Sequence, residues 1–109
     1  MSDADNSPIF SSLSSDKDMC ELVHEYVNAL EQRVQNLEAA IDAGDLQTLQ
    51  HLAHQLKGVS GGYGFEGIGK MAAVVEESII ANCPLLDVER QVQNLITLCR
   101  RARADAPDS

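Results

Sequence analysis

A histidine, a lysine three residues on and a glycine four residues on stand in mid-chain, in Ala53-His54-Gln55-Leu56-Lys57-Gly58-Val59-Ser60-Gly61-Gly62. Imidazole is a competent nucleophile near neutral pH, because its unperturbed pKa of about 6.5 leaves much of it uncharged. In a helix of about 100° per residue, Leu46, Leu49, Ala53 and Leu56 form one apolar stripe, and His54 lies roughly 120° from its centre, toward solvent. Lys57 and Gly58 then neighbour His54 one turn on, and Gly61 continues that face. A glycine inside a helix costs about 1 kcal/mol against alanine. Glycines beside an exposed histidine therefore predict access: a bulky partner reaches the imidazole without striking a side chain, and Lys57 steadies an anion bonded to it. Gln55, next in the chain, belongs with Gly58 and Gly61 to the surface such a partner meets.

A nucleophilic imidazole also needs its other nitrogen fixed. A carboxylate accepting the Nδ1 proton would leave Nε2 free to attack. Glu76 is the best candidate, placed where an adjacent antiparallel helix returns to the level of His54, and Glu77 ranks second.

The elements that must hold these groups are helical. Ser15 followed by Asp18 reads as a capped helix start. From there Leu22, Val23, Tyr26, Val27, Leu30, Val34, Leu37 and Ile41 recur at three- and four-residue steps as far as Ala43-Gly44. Asp45 caps a second helix, whose end Gly61, Gly62 and Gly64 mark. A third carries Ile68, Met71, Ala72, Val75 and Ile79 and stops before Pro84. A fourth starts at Pro84 with Val88, Val92, Leu95 and Cys99 inward, and Arg100, Arg101 and Arg103 suit the negative end of its dipole. No segment alternates with period two. The expectation is an all-α protein, an antiparallel four-helix bundle over residues 16–104. A polar N-terminal tail (1–15) carries an apolar segment at 8–13 that could tuck against the body, and 105–109 form a C-terminal tail.

Composition narrows the function further. The net charge of −9 argues against nucleic acid, which needs a basic footprint. No run of 18 apolar residues offers a membrane span, and the acidic start is unlike a secretory signal, so a cytoplasmic protein is expected. Cys20, Cys83 and Cys99 form no C-x-x-C pair and read as free thiols. Gly62-x-Gly64-x-x-Gly67 and Gly64-x-x-x-x-Gly69-Lys70 imitate nucleotide loops, but both follow a helix where a strand is required, and Met71 stands where a P-loop needs Ser or Thr. His51 and His54 lack the Glu-x-x-His spacing of helical metal sites, and His24 reads as a surface or boundary histidine. No cofactor or metal is expected.

The run from Ala53 to Gly58, the Ser/Gly-rich turn with Gly64-Phe65, and the upstream Ala40-Ile41-Asp42-Ala43-Gly44-Asp45 junction resemble the histidine-containing phosphotransfer (HPt) domain family over roughly residues 8–100. The resemblance implies a four-helix bundle with His54 as phospho-acceptor, Lys57 as phosphate-steadying cation, Gly58 as the gap and Glu76 as the residue that orients the histidine. It implies a free-standing phosphocarrier without an ATP site. Its partners would be response-regulator receiver domains and a sensor or hybrid histidine kinase, the receiver supplying the aspartate and Mg2+. A monomer is expected, since such a bundle closes its own core. The alternative from another class is an interaction module that sequesters a receiver without transfer, in which Lys57 would have no purpose.

Overall fold

The computed structural model describes residues 7–104; the acidic start at 1–6 and the expected tail at 105–109 lie outside them. Four helices, α1 (Cys20–Asp42), α2 (Leu46–Gly62), α3 (Glu66–Ile80) and α4 (Leu85–Arg101), make an all-α four-helix bundle. Each helix packs on the next, and α4 closes back on α1. The core they enclose is built from Val23, Leu30, Val34 and Leu37 of α1, Leu49, Ala53 and Leu56 of α2, Ile68, Ala72 and Val75 of α3, and Val88, Val92, Leu95 and Ile96 of α4. These follow the stripes expected from the sequence except at Leu22, which is exposed where the α1 stripe was expected inward, and at Ile96, which is buried beside the expected α4 stripe; burying them is what drives the helices together.

Three helices stop in the same way. At the end of α1, Gly44 adopts φ +67°, its N–H donates to Ile41 O (3.1 Å), and Asp45 N–H donates to Ala40 O (2.9 Å). At the end of α2, Gly64 adopts φ +83°, with Gly64 N–H to Gly61 O (3.3 Å) and Phe65 N–H to Ser60 O (2.9 Å). At the end of α3, Asn82 at φ +59° plays the same part, with Cys83 N–H donating to Ser78 O at 3.0 Å. This paired closure spends carbonyls that a helix end otherwise leaves unbonded, and it requires the left-handed conformation that glycine and asparagine adopt most readily. It also explains the junction from Ala40 to Asp45. Having closed α1 through its N–H, Asp45 opens α2 through its carboxylate, which accepts from Thr48 N–H (3.1 Å) and Thr48 Oγ1–H (2.6 Å). One residue thus fixes both the turn and the register of the helix that carries His54.

Both ends of the chain depart from the sequence reading. α1 begins at Cys20, not at a Ser15 cap, because Asp16 organises the entry: its Oδ1 accepts from Asp18 N–H (2.9 Å), and its carbonyl accepts from Met19 and Cys20 (both 3.0 Å). At the other end the chain leaves the helical path after Arg101. Ala102–Arg103 (β2) pairs in parallel with Ile9–Phe10 (β1), so the described part of the bundle ends in a short strand, which the absence of period-two alternation did not foretell. Arg103 is therefore beyond the helix, yet its guanidinium donates to Arg100 O (3.0 Å) and still serves a terminal carbonyl. Pro84 is the N-cap of α4 rather than its first residue. The N-terminal apolar segment does tuck in, with Ile9 and Leu13 against the core. Among the described residues no helix is long and apolar enough to cross a membrane.

Beyond β1, Ser11 is buried and clasps the α2–α3 turn: its hydroxyl donates to Tyr63 O (2.6 Å) and accepts from Leu13 N–H (2.9 Å), while Ser12 N–H donates to Gly64 O (3.0 Å). A Cβ at Gly64 would collide with Ser11 Oγ and come within 2.9 Å of Ser12 N. Gly64→Ala should therefore destabilise the protein by about 1–3 kcal/mol from its backbone conformation alone. A melting temperature unchanged within a degree would show that the clasp and turn are not packed as described.

Candidate functional site

His54 sits in the third turn of α2, with its side chain 63% exposed. α3 returns alongside, and Gly69 marks the close approach: a Cβ there would stand 3.4 Å from Lys57 O and 3.6 Å from Gly61 N. Seven residues on, and so two turns along α3, Glu76 reaches across to α2. Its Oε2 is 2.8 Å from His54 Nδ1 and its Oε1 is 2.7 Å from Lys57 Nζ. One carboxylate, only 12% exposed, thus holds the imidazole with one oxygen and the ammonium with the other.

The chemical consequence follows from what each atom can do. An ionised carboxylate only accepts, so the proton in the 2.8 Å contact belongs to Nδ1. In the neutral ring, Nε2 then carries the lone pair. Lys57 keeps the carboxylate in that role: its hydrogen bond is the largest influence holding Glu76 below the usual carboxylate range, against desolvation, which pushes the other way, with a further lowering from His54.

Lys57 is therefore placed more specifically than the sequence suggested. It stands one turn past His54, as expected, but its ammonium rests on Glu76, while 41% of the side chain stays exposed. Glu77 is exposed on the next face and the structure does not bring it to His54. Gln55 is exposed beside His54, and its amide nitrogen lies 3.2 Å from Nε2 of His51, a contact the sequence reading missed although its i,i+4 spacing permits it. His24 is exposed on α1, its Nδ1 donating to Cys20 O at 2.9 Å.

Gly58 and Gly61 face open space, and a Cβ at either would meet nothing within 4 Å. Packing does not demand glycine at either position. Their neighbour on the inner face, Ser60, is fully buried and bonded to Tyr26 (Oγ to hydroxyl, 2.6 Å), whose phenol is pushed up to about 12 by burial. Tyr26 in turn stacks on Phe65 at 5.0 Å between ring centres. The helix end bearing the bare glycine face is therefore anchored from behind.

Among the described residues no group of three or more His, Cys, Asp or Glu is arranged to hold a metal ion, and the three cysteines are free thiols. Of the glycines that imitate nucleotide loops, Gly62 ends α2, Gly64 lies in the α2–α3 turn, and Gly67 and Gly69 lie in the first turn of α3.

The model of the Hpt domain family matches residues 21–105, and the chain belongs to that family. Comparison with curated proteins and with solved structures finds no match. Hpt domains are phosphocarriers that pass phosphoryl groups through histidine in phosphorelays, working with receiver domains and histidine kinases.

In Glu76→Ala, the 15N shifts of the His54 ring should move away from the Nδ1–H pattern of the unsubstituted protein; an unchanged pattern would separate Glu76 from the tautomer. The pH dependence has a definite sign. Because the folded-state pKa of Glu76 is lowered, its contribution to stability is present above its ordinary value of 4.5 and is lost as pH falls through the lowered one. Glu76→Gln should flatten the acid limb of the stability curve below that value.

Proposed function

We propose that this chain is the phosphocarrier of a His–Asp phosphorelay, accepting a phosphoryl group on His54 Nε2 from a receiver aspartate or a kinase and passing it to another receiver. The observation that supports this most is the pairing of an imidazole held at Nδ1 with glycines beside it that the packing does not require. In acceptance, the Nε2 lone pair forms a bond to phosphorus and the aspartyl P–O bond breaks, so the partner's carboxylate leaves with its electron pair. The ring keeps its Nδ1 proton and becomes an imidazolium, whose charge faces Glu76. In donation the same steps run backward: a carboxylate attacks phosphorus and neutral imidazole leaves. No proton has to be exchanged with solvent in either direction.

Lys57 acts in two ways in this reading. It holds Glu76 ionised, and its exposed ammonium has donors left over for the phosphoryl oxygens on His54. An exposed cation contributes modestly in water, so its loss should slow transfer rather than end it. Gly58, Gly61 and Gln55 lie in the partner's footprint. The aspartate and Mg2+ belong to the receiver, so the carrier needs no nucleotide or metal of its own, and it works as a monomer.

Incubation with a phosphorylated receiver domain should place an acid-labile, alkali-stable phosphate on the chain, and His54→Gln should abolish it. Label persisting in that variant would sink the proposal. Gly58→Glu should fold normally, since its position is open, yet lose most transfer by shielding the imidazole. Transfer within twofold of the unsubstituted rate would show that access is not what the glycine provides.

A further inference from the structure

The surroundings of His54 are asymmetric along α2. Toward the C-terminal end the helix presents the bare backbone of Gly58 and Gly61 and, beside them, the Lys57 ammonium held on Glu76. Toward the N-terminal end, Gln47, Thr48, Gln50 and His51 line an open cleft of about 540 Å³ together with His54 and Glu76. Phosphoryl carriage as proposed above uses only His54 and Glu76 of these six.

The remaining four are hydrogen-bonding groups, and they are not equivalent. The Thr48 hydroxyl is committed to Asp45 at 2.6 Å. Gln47 is exposed and Gln50 half-buried, each with an amide at the end of a flexible stem. His51 is exposed but held, because Nε2 of its ring lies 3.2 Å from the Gln55 amide nitrogen. An amide nitrogen donates, so Nε2 accepts and the proton of the neutral ring is on Nδ1, a donor left for another molecule. A held side chain loses less entropy on binding than a free one.

We infer that His51, oriented by Gln55, is a specificity-determining residue for the transfer partner. With Gln47 and Gln50 it forms a hydrogen-bonding wall that reads the receiver segment flanking the phosphorylated aspartate as that segment enters the cleft. The inference rests on the phosphocarrier reading and adds to it where the partner is told apart. Geometry requires the wall to be met: an aspartyl phosphate brought into bonding reach of Nε2 carries its flanking residues over about one turn of α2 on either side, roughly 5 Å. On the glycine side of α2 they meet backbone and the Lys57 ammonium, which takes phosphoryl oxygens common to every partner, so what differs between partners registers on the side of His51. The chemistry of the wall suits carbonyls, amides and hydroxyls of a loop.

The test compares two phosphodonors on the full chain: a panel of phosphorylated receiver domains, and phosphoramidate, a donor too small to touch the whole wall. The variants are His51→Ala, His51→Gln and the pair Gln47→Ala with Gln50→Ala. The ratio of receiver-driven to phosphoramidate-driven labelling should fall about three- to tenfold with at least one receiver, the range expected for losing a hydrogen bond or two. The loss should differ between receivers and lie mainly in KM, with the rate at saturation less affected. Gln55→Ala should lower the ratio less, in the same direction. Ratios within twofold of the unsubstituted protein for every receiver, in both His51 variants and in the pair, would overturn the inference while leaving phosphocarriage standing. If the unsubstituted chain takes no label on His54 from any receiver, the phosphocarrier reading fails and this inference with it.

Discussion

The bridge made by Glu76 is the constraint on which the site depends. One carboxylate must lie within 2.8 Å of an imidazole nitrogen and within 2.7 Å of an ammonium, and the three side chains come from two helices. Neither contact gains much by itself while the imidazole and the ammonium stay solvated. Its value is geometric and electronic. It assigns the Nδ1 proton, leaves the Nε2 lone pair of the neutral ring uncommitted, and sets a negative charge beside the ring. Such a bridge survives only if α2 and α3 are held at fixed depth and register.

The rest of the bundle supplies that register. α2 is pinned at its start by Asp45, which closes the preceding helix with its N–H and opens the next with its carboxylate. It is pinned at its end by Gly64, by the Ser11 clasp and by the Ser60–Tyr26 hydrogen bond. α3 lies close alongside at Gly69, where a Cβ would stand in van der Waals contact with Lys57 O and Gly61 N. Between these fixed ends, Gly58 and Gly61 weaken the helix where it is exposed, a cost the packing does not require.

Much of this was legible in the sequence, and the reasons differ by residue. The helices were readable because their stripes recur at 3.6-residue spacing, and the α1–α2 junction because Gly44 and Asp45 do local jobs that their own chemistry announces. Glu76 could be singled out over Glu77 because it follows the core position Val75 and the third helix had to run back along the second. Features that depend on contacts distant in sequence were not readable. The Asp16 turn displaced Ser15 as the start of α1 through backbone bonds that no composition signals. The parallel pair of β1 and β2 joins two-residue segments more than ninety positions apart, too short to show a period. Lys57 was placed beside His54, but that its ammonium rests on Glu76 depends on how far α3 sits from α2. The His51–Gln55 contact lies within the i,i+4 spacing that a sequence displays, but two polar side chains on a solvated face carry no signal that they bond to each other.

The central claim is that Nδ1 of His54 is occupied by its bond to Glu76 and Nε2 alone is available to phosphorus. The most direct test is 31P and 15N NMR of the chain labelled by a phosphorylated receiver, with coupling used to identify the nitrogen that bears the phosphoryl group. The account predicts a single phosphohistidine at His54, bonded through Nε2. Phosphate on Nδ1, or on any other residue, would contradict it.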